Sequence, residues 1–127
     1  MRHQITDLGE LEREVLGLVW KHGSIAADAV QRQLGRALKE STVRTVLKRL
    51  EAKGYLKHTI ERRAFIYKAK ESRAVAAARA VKGIADRFCN GSVREVLAGM
   101  VDARILDRGE LERLAEAISK AKGGDRP

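Results

Sequence analysis

The sequence predicts a mainly α-helical fold that carries a small antiparallel β hairpin. Apolar residues recur at helical spacing in several separate stretches of the 127-residue chain, so that each stretch has one face to bury. Between residues 55 and 68 the period shortens to about two, which is typical of strands. With 44% hydrophobic and 34% charged residues, the chain suits one globular domain, or a small domain with an appendage.

The first helix is predicted at about residues 9–21, with Leu8, Leu11, Val15, Leu18 and Val19 as its buried stripe. Asp7 and Glu10 have the spacing of a capping box at its start. Trp20 lies near the stripe and is interpreted as a core anchor, because no other aromatic residue is near it in sequence. Ser24-Ile25 is expected to add a short strand, and a second helix is predicted at about residues 26–34.

The strongest helical pattern runs from Thr42 to Lys53. Its apolar stripe consists of Val43, Val46, Leu47 and Leu50. The opposite face combines short side chains with long cations, and no carboxylate lies near its middle; it comprises Ser41, Thr45, Lys48 and Ala52, flanked by Arg44 and Arg49. Such a ridge suits a groove lined by phosphates and base-edge acceptors. Gly54 then predicts a helix end in a left-handed turn.

Two strands are predicted after this helix, at residues 55–60 and 65–68. The charged turn Glu61-Arg62-Arg63-Ala64 joins them. A basic helix, a glycine and a hairpin tipped by arginines together outline a winged helix-turn-helix.

The charge of this segment predicts a nucleic-acid partner. Residues 36–70 contain eleven Lys or Arg against three Glu, within a chain of net charge +9 and pI near 10.1. An ordinary solvated face gains nothing from such an excess because like charges repel, whereas a phosphate partner explains it. Residues 1–70 carry 15 basic and eight acidic side chains, and residues 71–127 carry 11 and nine. We therefore expect the nucleic acid to bind residues 1–70, and residues 71–127 to have a different function.

The second half predicts a three-helix dimerisation region. Ser72, Ser92 and Asp107 are helix-start residues, and each helix has one apolar stripe within about 50 residues, which a second copy of the chain would cover. The alternative is a monomeric helical cap on the first domain. The predicted domains are residues 1–71, 72–122 and a disordered tail, 123–127. The predicted dimerisation residues are Val81, Ile84, Phe88, Val96, Leu97, Met100, Leu111, Leu114 and Ile118.

The sequence does not favour catalysis, a cofactor or a metal. The three histidines have no metal-ligand spacing, and no glycine-rich phosphate loop is present. Cys89, the single cysteine, is interpreted as a small buried hydrophobe and fits a reducing compartment. The apolar runs are shorter than a membrane span, and the N-terminus lacks a signal-peptide core, so we expect no membrane partner and a cytoplasmic location.

Residues 8–120 resemble the penicillinase repressor family, with members such as BlaI and MecI and the copper-responsive CopY repressors as cousins. The specific mark is STVRTVLKRLEAKGYL at residues 41–56. LGELEREVLGLVW at 8–20 and RRAFIYKAK at 62–70 are typical but less discriminating, and LDRGELERLAEAI at 106–118 is a weaker match.

This resemblance implies a winged-helix repressor that dimerises through its C-terminal helices on a palindromic double-stranded DNA operator. It assigns reading of the major groove to the recognition helix, here Ser41, Thr42, Arg44, Thr45, Lys48 and Arg49. Arg62 and Arg63 at the wing tip would hold the DNA backbone or minor groove. A winged-helix protein-interaction module and a non-specific DNA-binding protein are the alternative functions.

The chain departs from the family at the point of release. In the antibiotic-responsive members a membrane sensor-protease triggers cleavage at an Asn-Phe bond, but Gly99-Met100 occupies the matching position here. The copper-responsive members use paired C-x-C motifs, which a single cysteine does not supply. The sequence therefore predicts neither a sensor-protease partner nor copper as the release signal.

Overall fold

A computed structural model describes residues 5–123 of the chain. A single 3-10 turn, Ile5–Asp7, precedes six helices and three strands in this part of the chain. In chain order the elements are α1 Glu10–His22, β1 Ser24–Ala26, α2 Ala27–Gln33, α3 Glu40–Ala52, β2 Leu56–Glu61, β3 Ala64–Ala69, α4 Arg73–Phe88, α5 Val93–Asp102 and α6 Arg108–Gly123. The predicted fold class, mainly α-helical with a small antiparallel sheet, is confirmed.

The three strands form one antiparallel sheet in the order β1-β3-β2. The third strand that was predicted at Ser24-Ile25 is therefore confirmed, and it pairs with residues 66–68 of β3. In the hairpin, His58 lies opposite Tyr67 and Ile60 lies opposite Phe65. Because side chains alternate along a strand, these four side chains share one face of the sheet.

The hydrophobic core of residues 1–80 is built around the apolar stripe of α3. This stripe packs against α1, α2 and the sheet, and each of its side chains is at most 4% exposed. The central residues of the core are Val15, Leu16, Val19, Val30, Val43, Val46, Leu47 and Leu50. Burying one such side chain contributes about 1.5–3 kcal/mol. The burial fixes the rotation of α3, so its opposite face must point outward.

Gly54 ends α3 as predicted. It adopts φ +92°, a left-handed conformation that costs glycine little. The N–H of Tyr55 donates to the carbonyl of Leu50 at 2.9 Å, and the N–H of Gly54 donates to that of Glu51 at 3.0 Å. This pair of bonds satisfies the last carbonyls of the helix and directs the chain into β2.

The start of α1 differs from the prediction. The N-cap is Gly9, whose N–H donates to Glu12 Oε1 at 3.0 Å, whereas Asp7 lies in the preceding 3-10 turn. The capping box assigned to Asp7 and Glu10 is therefore wrong, because the helix begins at Glu10 and its third residue is Glu12. The other oxygen of Glu12 accepts from Lys53 Nζ at 2.9 Å, which ties α1 to the end of α3.

Trp20 anchors the end of the sheet to α1. Its ring is half-buried against the core, and its Nε1–H donates to the carbonyl of Glu71 at 3.0 Å. The guanidinium of Arg73 lies 5.6 Å from the ring centroid, in cation–π range. Ser72 caps α4 as predicted, since its Oγ accepts from the N–H of Val75 at 3.2 Å. The interpretation of Trp20 as a core anchor is confirmed.

The chain divides into two compact units between Ala80 and Val81, within α4. In the second unit, Ser92 Oγ accepts from the N–H of Glu95 at 3.1 Å, and Asp107 Oδ1 accepts from that of Glu110 at 2.8 Å. Both predicted helix starts are thus confirmed. The domain boundary at residues 71 and 72 stays a prediction. The predicted tail begins at the last residue of α6, and residues 124–127 lie outside the described residues.

None of the helices described for residues 5–123 combines the length and the apolar character needed to cross a membrane.

The carboxylate of Glu12 makes the stability of the first unit pH-dependent. The hydrogen bond from the backbone of Gly9, and then the bond and charge of Lys53, lower the pKa of Glu12 below its ordinary value of 4.5 despite burial. The ionised form therefore stabilises the fold above the pKa of the unfolded chain, and this contribution is lost as pH falls through the folded pKa.

Glu12→Gln is expected to lower the free energy of unfolding at pH 7 by on the order of 1–2 kcal/mol. The difference from the parent protein should shrink as pH falls below the ordinary pKa of 4.5 and on through the lowered pKa of the folded state, because the parent then loses its carboxylate. Urea titrations followed by circular dichroism between pH 3 and 7 measure this. Glu10→Gln, an exposed change in the same first turn, is the control. A difference that stays constant across this pH range would contradict the assignment.

Candidate nucleic-acid interface

The structure brings the predicted recognition residues together on one side of α3. Five of them are exposed, namely Ser41, Arg44, Thr45, Lys48 and Arg49, and Thr42 is half-buried. They are held there because the opposite side of the helix is buried in the core. Arg62 and Arg63 are also exposed, at the tip of the hairpin.

A groove of about 470 Å³ runs between α3 and β3. Arg44, Lys48 and Arg63 contribute cations to it, and the rings of Phe65 and Tyr67 contribute apolar surface. Its full lining is Ala27, Asp28, Glu40, Arg44, Lys48, Arg63, Ala64, Phe65 and Tyr67. The groove thus joins the recognition helix and the wing into one basic surface.

Both carboxylates of the groove are engaged by arginines on their own helices. Glu40 Oε1 lies 2.7 Å from Arg44 Nη2, and Asp28 Oδ2 lies 3.3 Å from Arg32 Nη1. These pairs are solvent-exposed and therefore contribute little to stability. An exposed pair exchanges readily, so Arg44 is able to turn from Glu40 to a phosphate or a base edge.

Thr45 presents less than the sequence indicated. Its hydroxyl donates to the carbonyl of Ser41, one turn earlier in α3, at 2.8 Å. This bond commits the hydroxyl proton to the helix backbone. Thr45 therefore offers its methyl group and an acceptor oxygen to a ligand, but not a free donor. A smaller hollow of about 280 Å³ beside it is lined by Leu11, Ser41, Thr42, Thr45, Val46 and Arg49.

The wing turn lies at the predicted residues. Glu61 pairs with Ala64 in the strands, so these two residues close a four-residue β-turn whose loop is Arg62 and Arg63 alone. The turn predicted at residues 61–64 is therefore confirmed. A two-residue hairpin loop with both residues left-handed matches the twist of the strands, and here φ is +50° at Arg62 and +67° at Arg63. Glycine and asparagine usually occupy such positions, so the sequence did not reveal the left-handed conformation of the two arginines.

Sequence reasoning missed a cluster that links α3 to the wing. His58 Nδ1 lies 2.7 Å and 2.8 Å from the two carboxylate oxygens of Glu51. The His58 ring stacks on Phe65 at a centroid distance of 4.9 Å and an angle of 11°, and lies 5.6 Å from Tyr67. Burial raises the pKa of Tyr67, and the nearby charge of Glu51 adds to this while Arg44 opposes it. The strand register brings His58 beside Phe65 and Tyr67, and the turn at Gly54 brings it beside Glu51; sequence spacing gives neither.

The apolar stripes of the second unit lie largely in solvent. Among the described side chains of residues 81–120, Ala85 alone is buried. Of the predicted dimerisation residues, the half-buried ones are Val81, Val96, Met100 and Leu111, and the exposed ones are Ile84, Phe88, Leu97, Leu114 and Ile118. Phe88 is 77% exposed. Cys89 is half-buried, which is more exposed than the interpretation as a buried hydrophobe implied.

Within the described part of the chain, no three His, Cys, Asp or Glu side chains are arranged to hold a metal ion.

Comparison with known sequences assigns most of the chain, including both the recognition helix and the C-terminal helices, to one family. Residues 8–120 match the family model described as penicillinase repressor. The chain is 27% identical over 121 residues to the penicillinase repressor of Bacillus licheniformis, with 94% of each chain covered. It is also 27% identical over 129 residues to an uncharacterized 16.5 kDa protein of Latilactobacillus sakei, covering 88% of that protein.

Two solved structures illustrate the fold. The solution structure of the DNA-binding domain of the repressor BlaI matches 58% of this chain and 92% of that domain, with 33% identity and a TM-score of 0.50. A MarR mutant from E. coli complexed with operator DNA matches 91% of this chain and 76% of its own, with 15% identity and a TM-score of 0.51. The second likeness is one of fold alone.

The wing turn should be strained by its arginines. Left-handed backbone costs a residue with a Cβ about 1 kcal/mol, and asparagine and glycine accept it more readily. The double variant Arg62→Asn/Arg63→Gly is therefore expected to raise the free energy of unfolding by about 1–2 kcal/mol. Urea denaturation measures it, with Arg62→Lys/Arg63→Lys as the control that retains the strain. A double variant less stable than the parent would refute this account of the turn.

Proposed function

Because the chain belongs to the penicillinase repressor family of winged-helix transcription regulators, we propose that it is a sequence-specific repressor. It binds a palindromic operator as a homodimer and thereby blocks transcription. The observation that carries this proposal is the outward face of α3, where hydroxyls and cations stand together beside an arginine-tipped wing. The major groove of DNA is about 12 Å wide and admits one such helix.

Each element of this surface is assigned a different part of the DNA. Thr45 offers its methyl group to a thymine methyl, and Arg49 suits the paired acceptors of guanine. Ser41, Thr42, Arg44 and Lys48 supply contacts to phosphates or neighbouring base edges. Arg62 and Arg63 reach the backbone or minor groove beyond the recognition helix, since the two-residue turn projects both from the wing tip.

The homodimer is supported by the incomplete burial of the second unit. Its helices expose Ile84, Phe88, Leu97, Leu114 and Ile118, which is costly for a unit whose only buried described side chain is Ala85. A second copy is the occupant that suits this surface, because an isologous contact covers the same stripes on both chains. It also arranges two recognition helices about a dyad, which fits a palindromic operator.

The proposal does not include release by the family's sensor-protease. Gly99 and Met100, which the family resemblance matches to the Asn-Phe bond, lie within α5. Met100 is half-buried in that helix. A helical segment without the expected pair of residues is a poor substrate for that cleavage, so we expect a different release signal.

Thr45→Ala and Arg49→Ala test sequence reading. Arg49→Ala should weaken binding to the operator by about tenfold or more, because a bidentate base contact contributes about 1–3 kcal/mol of discrimination, and Thr45→Ala should weaken it less, because it removes a methyl contact. Both should change binding to random DNA much less. Competition titrations at fixed salt measure both affinities. Arg94→Ala, an exposed change in α5, is the control for removal of one positive charge. Equal losses on operator and random DNA would favour a non-specific DNA-binding protein.

Leu114→Glu/Ile118→Glu tests the dimer. Both side chains are about half exposed, so the exchange costs the isolated chain little while placing charges in the proposed interface. The variant should sediment as a monomer where the parent is a dimer, and its operator affinity should fall by about a hundredfold or more as the second half-site is lost. Lys120→Glu, an exposed change on the opposite side of α6 with the same change in net charge, should remain dimeric. A variant that still sediments as a dimer would refute this interface.

A further inference from the structure

We infer that Glu51 and His58 are positioning residues that hold the wing in register with the recognition helix during DNA binding. This inference rests on the proposed function and goes beyond it, because neither side chain is assigned to touch DNA. Glu51 belongs to α3 and His58 to β2, so their contact joins the two elements that carry the proposed DNA-binding residues.

The contact has the geometry of a strong hydrogen bond. His58 Nδ1 lies within 2.8 Å of both carboxylate oxygens of Glu51. An ionised carboxylate only accepts, so Nδ1 carries the proton and donates it. Both side chains are about two-thirds buried, at 31% and 33% exposure, which shields the bond from competition with water more than a surface pair. The bond joins two residues that are seven positions apart in the sequence, on either side of the turn at Gly54.

A ring stack carries this constraint toward the wing tip. The His58 ring lies nearly parallel to that of Phe65, at 11° and 4.9 Å between centroids. Phe65 lies opposite Ile60, and a single further pair, Glu61–Ala64, separates them from the turn residues Arg62 and Arg63. Glu51, His58 and Phe65 thus form a continuous chain of contacts from the end of α3 to the base of the arginine turn.

The outer part of the hairpin has no other strand to support it in the described sheet. β1 pairs with β3 only at residues 66–68, whereas the pairs Ile60–Phe65 and Glu61–Ala64 lie beyond it. A two-stranded ribbon is marginally stable in water. The contact with α3 through His58 therefore sets how far the tip stands from the recognition helix.

That separation fixes the groove in which the cations converge. Arg44 and Lys48 of α3 line one side, and Arg63 and Phe65 of β3 and its turn line the other. In the proposed complex Lys48 and Arg63 contact the same DNA duplex at two places. If the wing moves outward, Arg63 loses its contact with the DNA while Lys48 of α3 keeps its contact. Loss of the bridge should therefore remove the contribution of the wing and spare that of α3.

The experiment measures the wing factor, defined as the dissociation constant of the Arg62→Asn/Arg63→Gly form divided by that of the same protein with both arginines. It is determined on one operator at fixed salt in four backgrounds: the parent chain, Glu51→Gln, Glu51→Met and His58→Phe. Gln keeps an oxygen acceptor for Nδ1–H, whereas Met has similar length and no such acceptor. The two changes remove the same charge and keep a similar side-chain length, so the polar amide with its hydrogen-bond acceptor is what distinguishes them.

The parent should show a wing factor of about tenfold, as expected for two arginine contacts to DNA. Glu51→Gln should retain it within about twofold, whereas Glu51→Met and His58→Phe should each lower it to about twofold or less. Combining Glu51→Met with His58→Phe should lower it no further. Thermal melts confirm that each form is folded, and the Glu51 pair alone decides the matter if His58→Phe does not fold.

An unchanged wing factor in Glu51→Met would overturn the positioning role while leaving the repressor intact. Equal losses in Glu51→Gln and Glu51→Met would also overturn it, since charge and not the hydrogen bond would then be responsible. A parent protein that binds operator and random DNA alike would overturn the proposed function itself.

Discussion

The burial of one face of α3 is the constraint on which the DNA-binding surface depends. Val43, Val46, Leu47 and Leu50 fill the centre of the first unit, so the helix cannot rotate without exposing them. Their burial fixes the hydroxyls and cations of the other face in solvent. The turn at Gly54 then sets the direction of the wing, which places the arginine turn beside the exposed face of α3. Core packing and the proposed function are thus two consequences of one helix.

Local periodicity predicted most of the elements because each depends on residues near in sequence. The stripe of α3, the end at Gly54 and the cap at Ser92 all follow from side chains within one or two turns. The contact of His58 with Glu51 did not follow, because it depends on the direction in which the turn at Gly54 sends the chain from α3 into β2. The turn at residues 61–64 was predicted, but its left-handed backbone was missed since Arg62 and Arg63 occupy conformations usually taken by glycine or asparagine. The N-terminal cap of α1 was predicted at Asp7 and Glu10 but lies at Gly9, because the carboxylate of Glu12 accepts from the backbone N–H of Gly9.

In the proposed function the two halves of the chain have different tasks. The first unit has its own core and most of the excess positive charge, and we propose that it binds the DNA. The second unit has capped helices but leaves apolar side chains such as Phe88 and Leu114 in solvent. In the proposed homodimer this unit would gain stability by pairing with a copy of itself, and pairing would also provide two-fold symmetry that matches a palindromic operator. Affinity for the operator and association of the helices are therefore expected to be linked.

The central claim is specific recognition of a palindromic DNA site. A footprint titration of the purified protein on the DNA upstream of its own gene, beside a random fragment and at two salt concentrations, tests it most directly. Phosphate contacts weaken steeply with salt on any sequence, whereas base contacts maintain a preference between sequences. The account predicts a protected dyad at both salt concentrations, at protein concentrations that leave the random fragment unprotected. Protection that spreads over both fragments and disappears from both together at the higher salt would contradict it.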